Sequence, residues 1–529
     1  MAALSDSGAP RPTIAFVGFM GAGKTRAAKG AAAVLGERAV DSDSEIEREL
    51  GATPAKVFER EGEARFREVE ERLVLESLAS GGLVSLGGGA VESERIRDAL
   101  AGCFTVWCRI SEEVAWARCR DTSRPLAQDR GEFGRRFAER QPLYEGVADA
   151  ILTDGGERVG RLAAGWLRAT AGLEGARLAW ASSSSGEYPA IVGTGALGLL
   201  DELAARRAEL NGAAASDPGR WFGVADRAAL DHHRERLPRI AQLIEVDGGE
   251  ASKTLQQAES VLRALAQAGA RRDDGVLAFG GGVVGDLAGF CAATYQRGIP
   301  VVQAPSTLVA QVDSAYGGKT GVDLPEAKNY AGAYHMPHAV LADPALLETL
   351  PGEELAAGFA EVVKTALIAG GALWDRVRAL DTLDAGGLGD VVFACARTKI
   401  DIVATDERDS SRRQVLNLGH TVGHAIEAAT SYGRYRHGEA VALGMLAALR
   451  LSGADGLRSE VGDLLAKHHL PTTLDPAIAV DEVITALARD KKADSEGVPF
   501  VLVKAPGDVV TGERLDSASV RAAVEELGN

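Results

Sequence analysis

Thr13-Ile-Ala-Phe-Val17 is a short apolar run that passes directly into Gly18-Phe-Met-Gly21-Ala-Gly23-Lys24-Thr25, and a helical pattern follows at Arg26–Leu35. The glycine stretch fits G-x-x-x-x-G-K-[ST] and stands between a strand and a helix, the context in which that pattern cradles phosphate. Glycines let backbone N–H groups curl around phosphate oxygens. Lys24 then reaches the β- and γ-phosphates, and Thr25 ligates Mg2+. A turn needed only for packing has no use for a lysine after Gly23. Gly21, Gly23, Lys24 and Thr25 are therefore read as a nucleotide site.

Around this cradle, apolar runs at Leu83–Leu86, Phe104–Cys108 and Ala150–Leu152 alternate with helical patterns at Ala64–Leu78, Glu112–Arg120 and Glu157–Thr170. The alternation predicts a small α/β domain with a parallel sheet. Asp41-Ser42-Asp43 ends the second strand candidate, with two carboxylates on one face. One suits the water shell of Mg2+ and the other takes a proton from an acceptor hydroxyl; the same residues also suit the N-cap of a helix at Ser44–Glu49. Phe66-Arg67, Gly87-Gly88-Gly89, Arg124-Pro125-Leu126 and Arg140-Gln-Pro-Leu-Tyr144 add three basic groups and a second glycine turn. All nine His lie beyond position 231, so this domain does no histidine chemistry.

The whole chain has 529 residues, enough for three or four units at about 150 residues each. Its formal charge of −17 argues against bulk attraction to nucleic acid or an anionic membrane, so any anionic ligand needs local basic groups. Five scattered Cys without a C-x-x-C pair point to a reducing compartment rather than a disulfide framework. The N-terminus carries no signal-peptide pattern, and the longest late apolar run, Ala440–Leu449, is half a membrane span. A soluble, cytoplasmic, multidomain protein is expected.

After the polar stretch Ser182–Gly186, suited to a linker or a hairpin tip, a second α/β segment runs to about residue 350, and from Pro351 the pattern becomes helix after helix. Val276–Phe279 leads into Gly280-Gly281-Gly282-Val-Val-Gly285-Asp286, formally G-x-G-x-x-G after a strand. No acidic residue occurs at 299–307, where a Rossmann fingerprint places its ribose ligand; the candidate is upstream, in Gly249-Glu250-Ala-Ser-Lys253. Dinucleotide binding outside the standard Rossmann layout is expected. His420-Thr-Val-Gly-His424 puts two His on one helix face, with His437 beyond. The stretch lacks the general base of H-E-x-x-H, and two such His also suit plain packing. A third ligand must come from elsewhere, and Glu361 in Ala360-Glu-Val-Val-Lys364 supplies a Glu/His/His set with an open position, suited to zinc or cobalt. Asp313, Lys319, Lys328-Asn329, Lys399, Arg413, Asn417 and Asp490-Lys491-Lys492 gather at loop positions of an acidic protein. Such a set suits a substrate with both phosphate and carboxylate.

In this order, the motifs of residues 10–172 resemble shikimate kinase, and those from 187 to the C-terminus resemble 3-dehydroquinate synthase. The first resemblance implies that Asp43, Arg67, Gly88, Gly89 and Arg140 hold shikimate, both arginines on its carboxylate. It also implies Asp41 in the Mg2+ shell, Arg124 on a lid over the transferring phosphoryl, and Arg120 stacked on the adenine of ATP. The second implies Glu361, His420 and His437 as ligands of Zn2+ or Co2+. It places Asp226, Glu250, Lys253, Gly281, Gly282, Asp286, Thr307 and Thr349 around NAD+. Asp313, Lys319, Lys328, Asn329, Lys364, Lys399, Arg413, Asn417 and His424 would surround the substrate, joined by one of Lys491 or Lys492. Arg297 would reach into the partner subunit's site of a homodimer formed through the C-terminal half. Tyr316 departs mildly from the smaller residue expected there.

The implied layout is a P-loop kinase domain over 1–172, a linker over 173–186, an NAD-binding α/β domain over 187–350 and a mainly helical metal and substrate domain over 351–529. The implied reactions are ATP-dependent phosphorylation of shikimate and cyclisation of 3-deoxy-D-arabino-heptulosonate 7-phosphate to 3-dehydroquinate, through transient oxidation by NAD+, loss of phosphate and an aldol closure. Two alternatives remain in view. A related sugar-phosphate cyclase or a metal-dependent polyol dehydrogenase shares the NAD-plus-metal layout, but a dehydrogenase does not need Lys319, Lys328, Lys399 and Arg413 together. A decayed half serving as a scaffold predicts a broken motif, and none of the motifs is broken.

Overall fold

The computed structural model describes residues 12–52, 56–57, 60, 62–121, 129–153, 155–200, 219–409, 412–488 and 498–528. The chain separates into two compact units, Met1–Ala181 and Ser182–Asn529.

The first unit is built on β1 (Ile14–Val17), β2 (Ala39–Asp41), β3 (Leu83–Ser85), β4 (Phe104–Arg109), β5 (Ala150–Thr153) and β6 (Arg177–Ser183). They pair in the order β2-β3-β1-β4-β5-β6, every pairing parallel. Parallel strands are covered on both faces, which is why β1 and β3 are apolar and buried almost throughout. The covering helices include α1 (Lys24–Leu35), α2 (Ser42–Leu50), α3 (Glu63–Ala79), α4 (Arg130–Val147) and α5 (Glu157–Thr170). The alanine face of α1 lies on α5 so closely that a Cβ on Gly160 would run into the Ala27 carbonyl. Because β1 is flanked by β3 and β4, the phosphate turn, Asp41 and the Gly87–Gly89 turn all emerge at carboxyl ends of adjacent strands, where α/β sheets bind ligands.

Two features depart from the sequence reading. Helix α4 holds Pro142 inside it, and that proline hid the helix in the sequence. The stretch 173–186, expected as a linker, is largely strand, and of the two readings of Ser182–Gly186, linker or hairpin tip, the turn is the one observed, between Arg177–Ser183 and Gly186–Val192. Arg177–Ser183 is the sixth strand of the first sheet, and at the following turn Ser184 Oγ (2.6 Å) and the Ser185 N–H (3.0 Å) donate to Glu407.

In the second unit β7 (Gly186–Val192), β8 (Trp221–Asp226), β9 (Gln242–Val246), β10 (Gly275–Gly280), β11 (Val301–Pro305) and β14 (Ala339–Ala342) form parallel pairs in the order β7-β14-β11-β10-β8-β9. Between β11 and β14 the chain makes an antiparallel hairpin, β12 (Lys319–Leu324) and β13 (Ala327–Tyr334), which the sequence reading left as loop. The glycine turn opens α6 (Gly282–Thr294). The change of pattern at Pro351 is real: α7 (Gly352–Ala369), α8 (Ala385–Thr405), α9 (His420–Ala429) and α10 (His437–Leu451) follow. The late strand pair is β15 (Pro499–Ala505) with β16 (Asp508–Arg514).

The middle of α7 is buried on all sides from Ala356 to Leu367, so it is a core helix, and α10 is buried in the same way from Ala440 to Leu449. A Cβ on Gly438 would collide with the Ala357 carbonyl, and one on Gly423 would lie 2.9 Å from the Ala440 carbonyl. Helices α7, α9 and α10 therefore cross almost backbone to backbone. Among the described residues no helix is long and apolar enough to cross a membrane.

Candidate active sites

In the first unit the phosphate turn is held in left-handed backbone at Gly21 (φ 81°) and Gly23 (φ 79°), and a Cβ on Gly23 would stand 2.5 Å from the Gly155 carbonyl. Lys24 Nζ folds back on the Phe19 carbonyl (3.2 Å). Thr25 Oγ1 donates to Asp41 Oδ2 (2.6 Å), while Asp41 Oδ1 accepts from the Ser44 N–H and so caps α2. Asp41 thus caps a helix with one oxygen and accepts from the Thr25 hydroxyl with the other. A hypothetical Cβ on Gly87 would be 2.7 Å from both Asp43 Oδ1 and Glu70 Oε1, so those carboxylates converge beside the second glycine turn.

Arg67 and Arg140 meet there too. Arg67 bridges Glu70 (2.5 Å), Glu92 (3.1 Å) and Glu63 (3.3 Å), and its guanidinium fills the space over Gly89. Arg140 is buried. Its Nε donates to Glu92 (3.0 Å), and its Nη2 is a buried donor with no hydrogen-bond partner. The Gly88 carbonyl accepts from Tyr144 Oη (2.5 Å). Burial pushes the Glu70 carboxyl above its ordinary pKa, against the pull of Arg67. Two guanidiniums, one with an unused donor, thus meet over a Gly-Gly turn beside Asp43, a set that suits an anion. Arg120, expected on the adenine side, instead turns to Asp121 at the surface (3.3 Å). It is Arg118 that reaches the cradle, donating to the Gly21 carbonyl (3.1 Å). Arg124, Lys491 and Lys492 lie outside the described residues.

In the second unit, Glu361 on α7, His420 at the start of α9 and His437 at the start of α10 come together. Glu361 Oε1 lies 3.7 Å from His420 Nε2 and 3.3 Å from His437 Nε2, and the three donor atoms fall within 4.8 Å of one another. Burial, helped by nearby Lys364, drives the His420 pKa well below its ordinary value, so it is neutral. Its Nδ1 sits 3.1 Å from the Leu418 carbonyl, which fixes that nitrogen as the donor and leaves the Nε2 lone pair facing Glu361. His437 is pushed the other way. Burial opposes its charge, yet Glu361 and Glu427 outweigh that and raise it to about 10. Two imidazoles and a carboxylate closing on one point, at a place that draws positive charge, fit a divalent cation with N/O ligands.

Beside it runs a buried chain of charges. Lys364 Nζ pairs with Glu361 Oε2 (2.5 Å) and Asp313 Oδ2 (2.5 Å), and Lys399 pairs with the other oxygen of Asp313. Asp313 sits in a π-helical turn, Ala310–Ser314, an irregularity often found at functional sites. Burial works against the ionised form of Asp313, but Lys364 and Lys399 prevail and hold it at about 2. Glu361 is held well below its ordinary value in the same manner, chiefly by Lys364. Lys399 is moved down by burial and by Lys364.

Further out, Lys319 pairs with Asp409 (2.6 Å), Asn417 Nδ2 donates to the Gln414 carbonyl (3.1 Å), and Asn329 takes φ 57° with its N–H on Asp323. Exposed His424 lies 5.2 Å from His420 and 5.8 Å from His437 between ring centroids. Lys328 Nζ sits 3.5 Å from Glu250 and over the Tyr432 ring (4.2 Å). Arg413 lies close enough to Lys399 for its charge to act on that lysine. It is buried, with its guanidinium spent on the Gly317 and Glu407 carbonyls, so here it braces the Gly317 turn.

On the nucleotide side, Cβ atoms on Gly281 and Gly282 would fall 3.0 Å from Thr307 Cγ2 and 2.9 Å from Ser314 Oγ, so the turn leaves a cradle no side chain can enter. Asp226 ends β8 directly beside Gly280, and Glu250 follows β9. Strand order explains the upstream acids, because β8 lies next to β10 in the sheet and β9 next to β8. Lys253 pairs with Asp286 (2.6 Å), and Thr349 Oγ1 meets His233 Nε2 (2.7 Å). Exposed Arg297 rides on a turn where Gln296 and Arg297 have φ 48° and 69°. The sequence reading missed Glu70, Glu92, Arg118, Glu407, Asp409 and Glu427. Two of them repeat a helical spacing from a residue already chosen: Glu70 follows Arg67 by three, and Glu427 follows His424 by three.

Comparison with known proteins matches the "Shikimate kinase" family model over residues 20–170 and the "3-dehydroquinate synthase N-terminal" and "C-terminal" models over 243–357 and 358–493. The 3-dehydroquinate synthase of Symbiobacterium thermophilum is 43% identical over 356 residues, covering 64% of this chain and 98% of that protein. The enzyme of the same name from Halorhodospira halophila is 42% identical over 374 residues, covering 66% and 100%. Among solved structures, 2-epi-5-epi-valiolone synthase from Streptomyces hygroscopicus subsp. jinggangensis, with NAD+ and Zn2+ bound, is 26% identical with a TM-score of 0.57, covering 65% of this chain and 98% of that one.

Proposed function

The chain belongs to the 3-dehydroquinate synthase family and carries a shikimate kinase domain ahead of the synthase, and from that premise we infer how its residues divide the work of a bifunctional enzyme of aromatic biosynthesis. The N-terminal unit transfers the γ-phosphoryl of ATP to shikimate. The C-terminal unit converts 3-deoxy-D-arabino-heptulosonate 7-phosphate to 3-dehydroquinate and phosphate.

In the kinase, Gly21, Gly23 and Lys24 hold the phosphates, and Thr25 with Asp41 hold Mg2+. Arg67 and the free Nη2 of Arg140 take the shikimate carboxylate over Gly88 and Gly89. Asp43 accepts the proton of the attacking hydroxyl. Arg118, donating to the Gly21 carbonyl, lines the adenine side in place of Arg120. Arg124 remains the proposed lid residue.

In the synthase, Glu361, His420 and His437 hold Zn2+ or Co2+, and Asp226, Glu250, Lys253, Gly281, Gly282, Asp286, Thr307 and Thr349 line the NAD+ site. When bound, the cation polarises the substrate's C5 hydroxyl and NAD+ accepts and returns a hydride there. The chain's own part is placement. Lys319 and Lys328, with one of Lys491 or Lys492, neutralise phosphate and carboxylate, and Asn329 and Asn417 donate hydrogen bonds to them. The Lys399–Asp313–Lys364–Glu361 chain keeps the floor of the cleft neutral in sum, so its ammonium groups donate hydrogen bonds without gaining or losing protons at neutral pH. Exposed His424 at the mouth carries a proton to or from the departing phosphate. The active form is a homodimer through the C-terminal unit, to which exposed Arg297 on its strained turn contributes across the interface. A charge of −17 disfavours nucleic acid and anionic membranes as partners, and five free cysteines favour the cytoplasm.

The observation that carries the synthase reading is the convergence of Glu361, His420 and His437 at one end of that buried chain. Its test is phosphate release from the heptulosonate phosphate with NAD+, with and without a chelator, on protein carrying Lys24→Ala. Chelator-sensitive release with no net NADH is expected. Stoichiometric NADH on a simple polyol, or no phosphate release, would refute it.

A further inference from the structure

We propose that Glu427 is a positioning residue of the metal centre, holding His437 by Nδ1 while its Nε2 faces the cation. The inference rests on the reading of Glu361, His420 and His437 as metal ligands. Along α9, His420, His424 and Glu427 stand at i, i+4 and i+7, a single face of the helix. That face looks at the first residue of α10, His437, whose ring is poorly anchored otherwise: its side chain is 40% exposed and begins a helix. Glu427 itself is buried, and its Oε2 lies 3.4 Å from His437 Nδ1 while Glu361 Oε1 lies 3.3 Å from Nε2. A neutral imidazole with Nδ1–H donated to a carboxylate must present its lone pair at Nε2, the nitrogen turned toward Glu361. An outer carboxylate of this kind fixes the tautomer and ring plane of a metal-bound His and raises its basicity.

The other oxygen of Glu427 points to Lys328 Nζ (3.8 Å), which also reaches Glu250 (3.5 Å). Glu427 thus joins the metal ligand on α10 to a lysine of the β12–β13 hairpin and, through it, to the turn after β9. The same geometry answers the rival reading. His424, Glu427 and His437 also come within 4.8 Å of one another, as a second cation site would. Yet His437 has one lone pair to give, and Glu427 already faces the cationic Lys328, so a second ion would meet a proton and an ammonium group.

The test uses the full-length protein, stripped with a chelator and titrated with Zn2+ against a chromophoric competitor, with Co2+ absorption as a second readout. Wild type binds one tight ion per synthase unit. Glu427→Ala weakens it by about 10–100-fold and Glu427→Gln, which keeps an acceptor but no charge, by about tenfold. Each alters the Co2+ spectrum, while the metal-free melting curve stays near that of wild type. Should Glu427→Ala fail to fold, Glu427→Gln alone decides. Affinities within threefold of wild type overturn the proposal. So do two tight ions per synthase unit in wild type, of which only the second is lost in the variants. No tight ion in wild type would instead refute the metal reading itself, and the proposal with it.

Discussion

Asp313→Asn removes the anion that two buried lysines share, and the structure sets the size of the loss. Asp313 is the ion-pair partner of Lys399 among the described residues, whereas Lys364 keeps Glu361 as well. Burial alone would raise the Asp313 carboxyl, but Lys364 and Lys399 hold it at about 2 against an ordinary 3.8. At 1.36 kcal/mol per pH unit that difference corresponds to about 2 kcal/mol, the lower end of what is lost at pH 7. The upper bound comes from Lys399. With no counter-charge it folds neutral, and removing a proton from a lysine of ordinary pKa 10.5 at pH 7 costs about 5 kcal/mol. The deficit at pH 7 is therefore about 2–5 kcal/mol. Its pH dependence has a definite sign: the unfolded variant binds one proton more than the folded variant, so stability rises with pH up to the unfolded lysine's pKa. By pH 9 the cost of the neutral lysine falls to about 2 kcal/mol, and the deficit contracts. Urea unfolding of metal-free, full-length protein at pH 7.0 and 9.0, followed by circular dichroism, measures it; the synthase transition is the one that added Zn2+ shifts. A deficit below about 1 kcal/mol at pH 7, or one that widens at pH 9, would refute the reasoning.

Lys24→Ala should cut shikimate phosphorylation by at least about 100-fold and leave phosphate release from the heptulosonate phosphate within twofold, measured on one preparation. Gly89→Ala puts a methyl group where the Arg67 guanidinium lies, so the shikimate KM should rise roughly tenfold with the ATP KM unchanged. Glu407→Gln weakens the hold on Ser184 and Ser185 and loosens the segment that carries Asp409, the partner of Lys319; a KM increase of about three- to tenfold for the heptulosonate phosphate, with kcat less affected, is expected in steady-state kinetics.

Where the sequence was legible, one residue type at one spacing had a single physical use. Lys24 after Gly23 is such a case, as is the alternation of apolar runs that became β1, β3, β4 and β5. It was illegible where tertiary contact overrode a local signal. Helix α4 continues through Pro142, and the choice between linker and hairpin tip for Ser182–Gly186 is decided by Glu407, far along the chain, which ties down two of its serines. Arg118 and Arg120 both sit at the end of one helix, and only the approach of Gly21, which a sequence does not display, decides which guanidinium faces the cradle. Asp226 and Glu250 were assignable from motif order, but the reason they precede the glycine turn is strand order, which a sequence does not display.

The metal centre shows how such distant residues are brought into register. Glu361, His420 and His437 sit on three helices, and nothing in their own spacing makes them meet. What brings them together is a set of residues with almost no side chain: Gly438 against Ala357, Gly423 against Ala440, and Gly444 against the Gly419 carbonyl. At ordinary interaxial distances of 8–10 Å the ligand atoms on α7, α9 and α10 would stand apart; with backbones in contact they lie within 4.8 Å. Close crossing also buries Lys364 and Glu361 so fully that neither tolerates an unpaired charge, which is why the cleft floor is an alternating chain of cations and anions rather than a cluster of lysines. These glycines thus set both the ligand geometry and the electrostatics beside it.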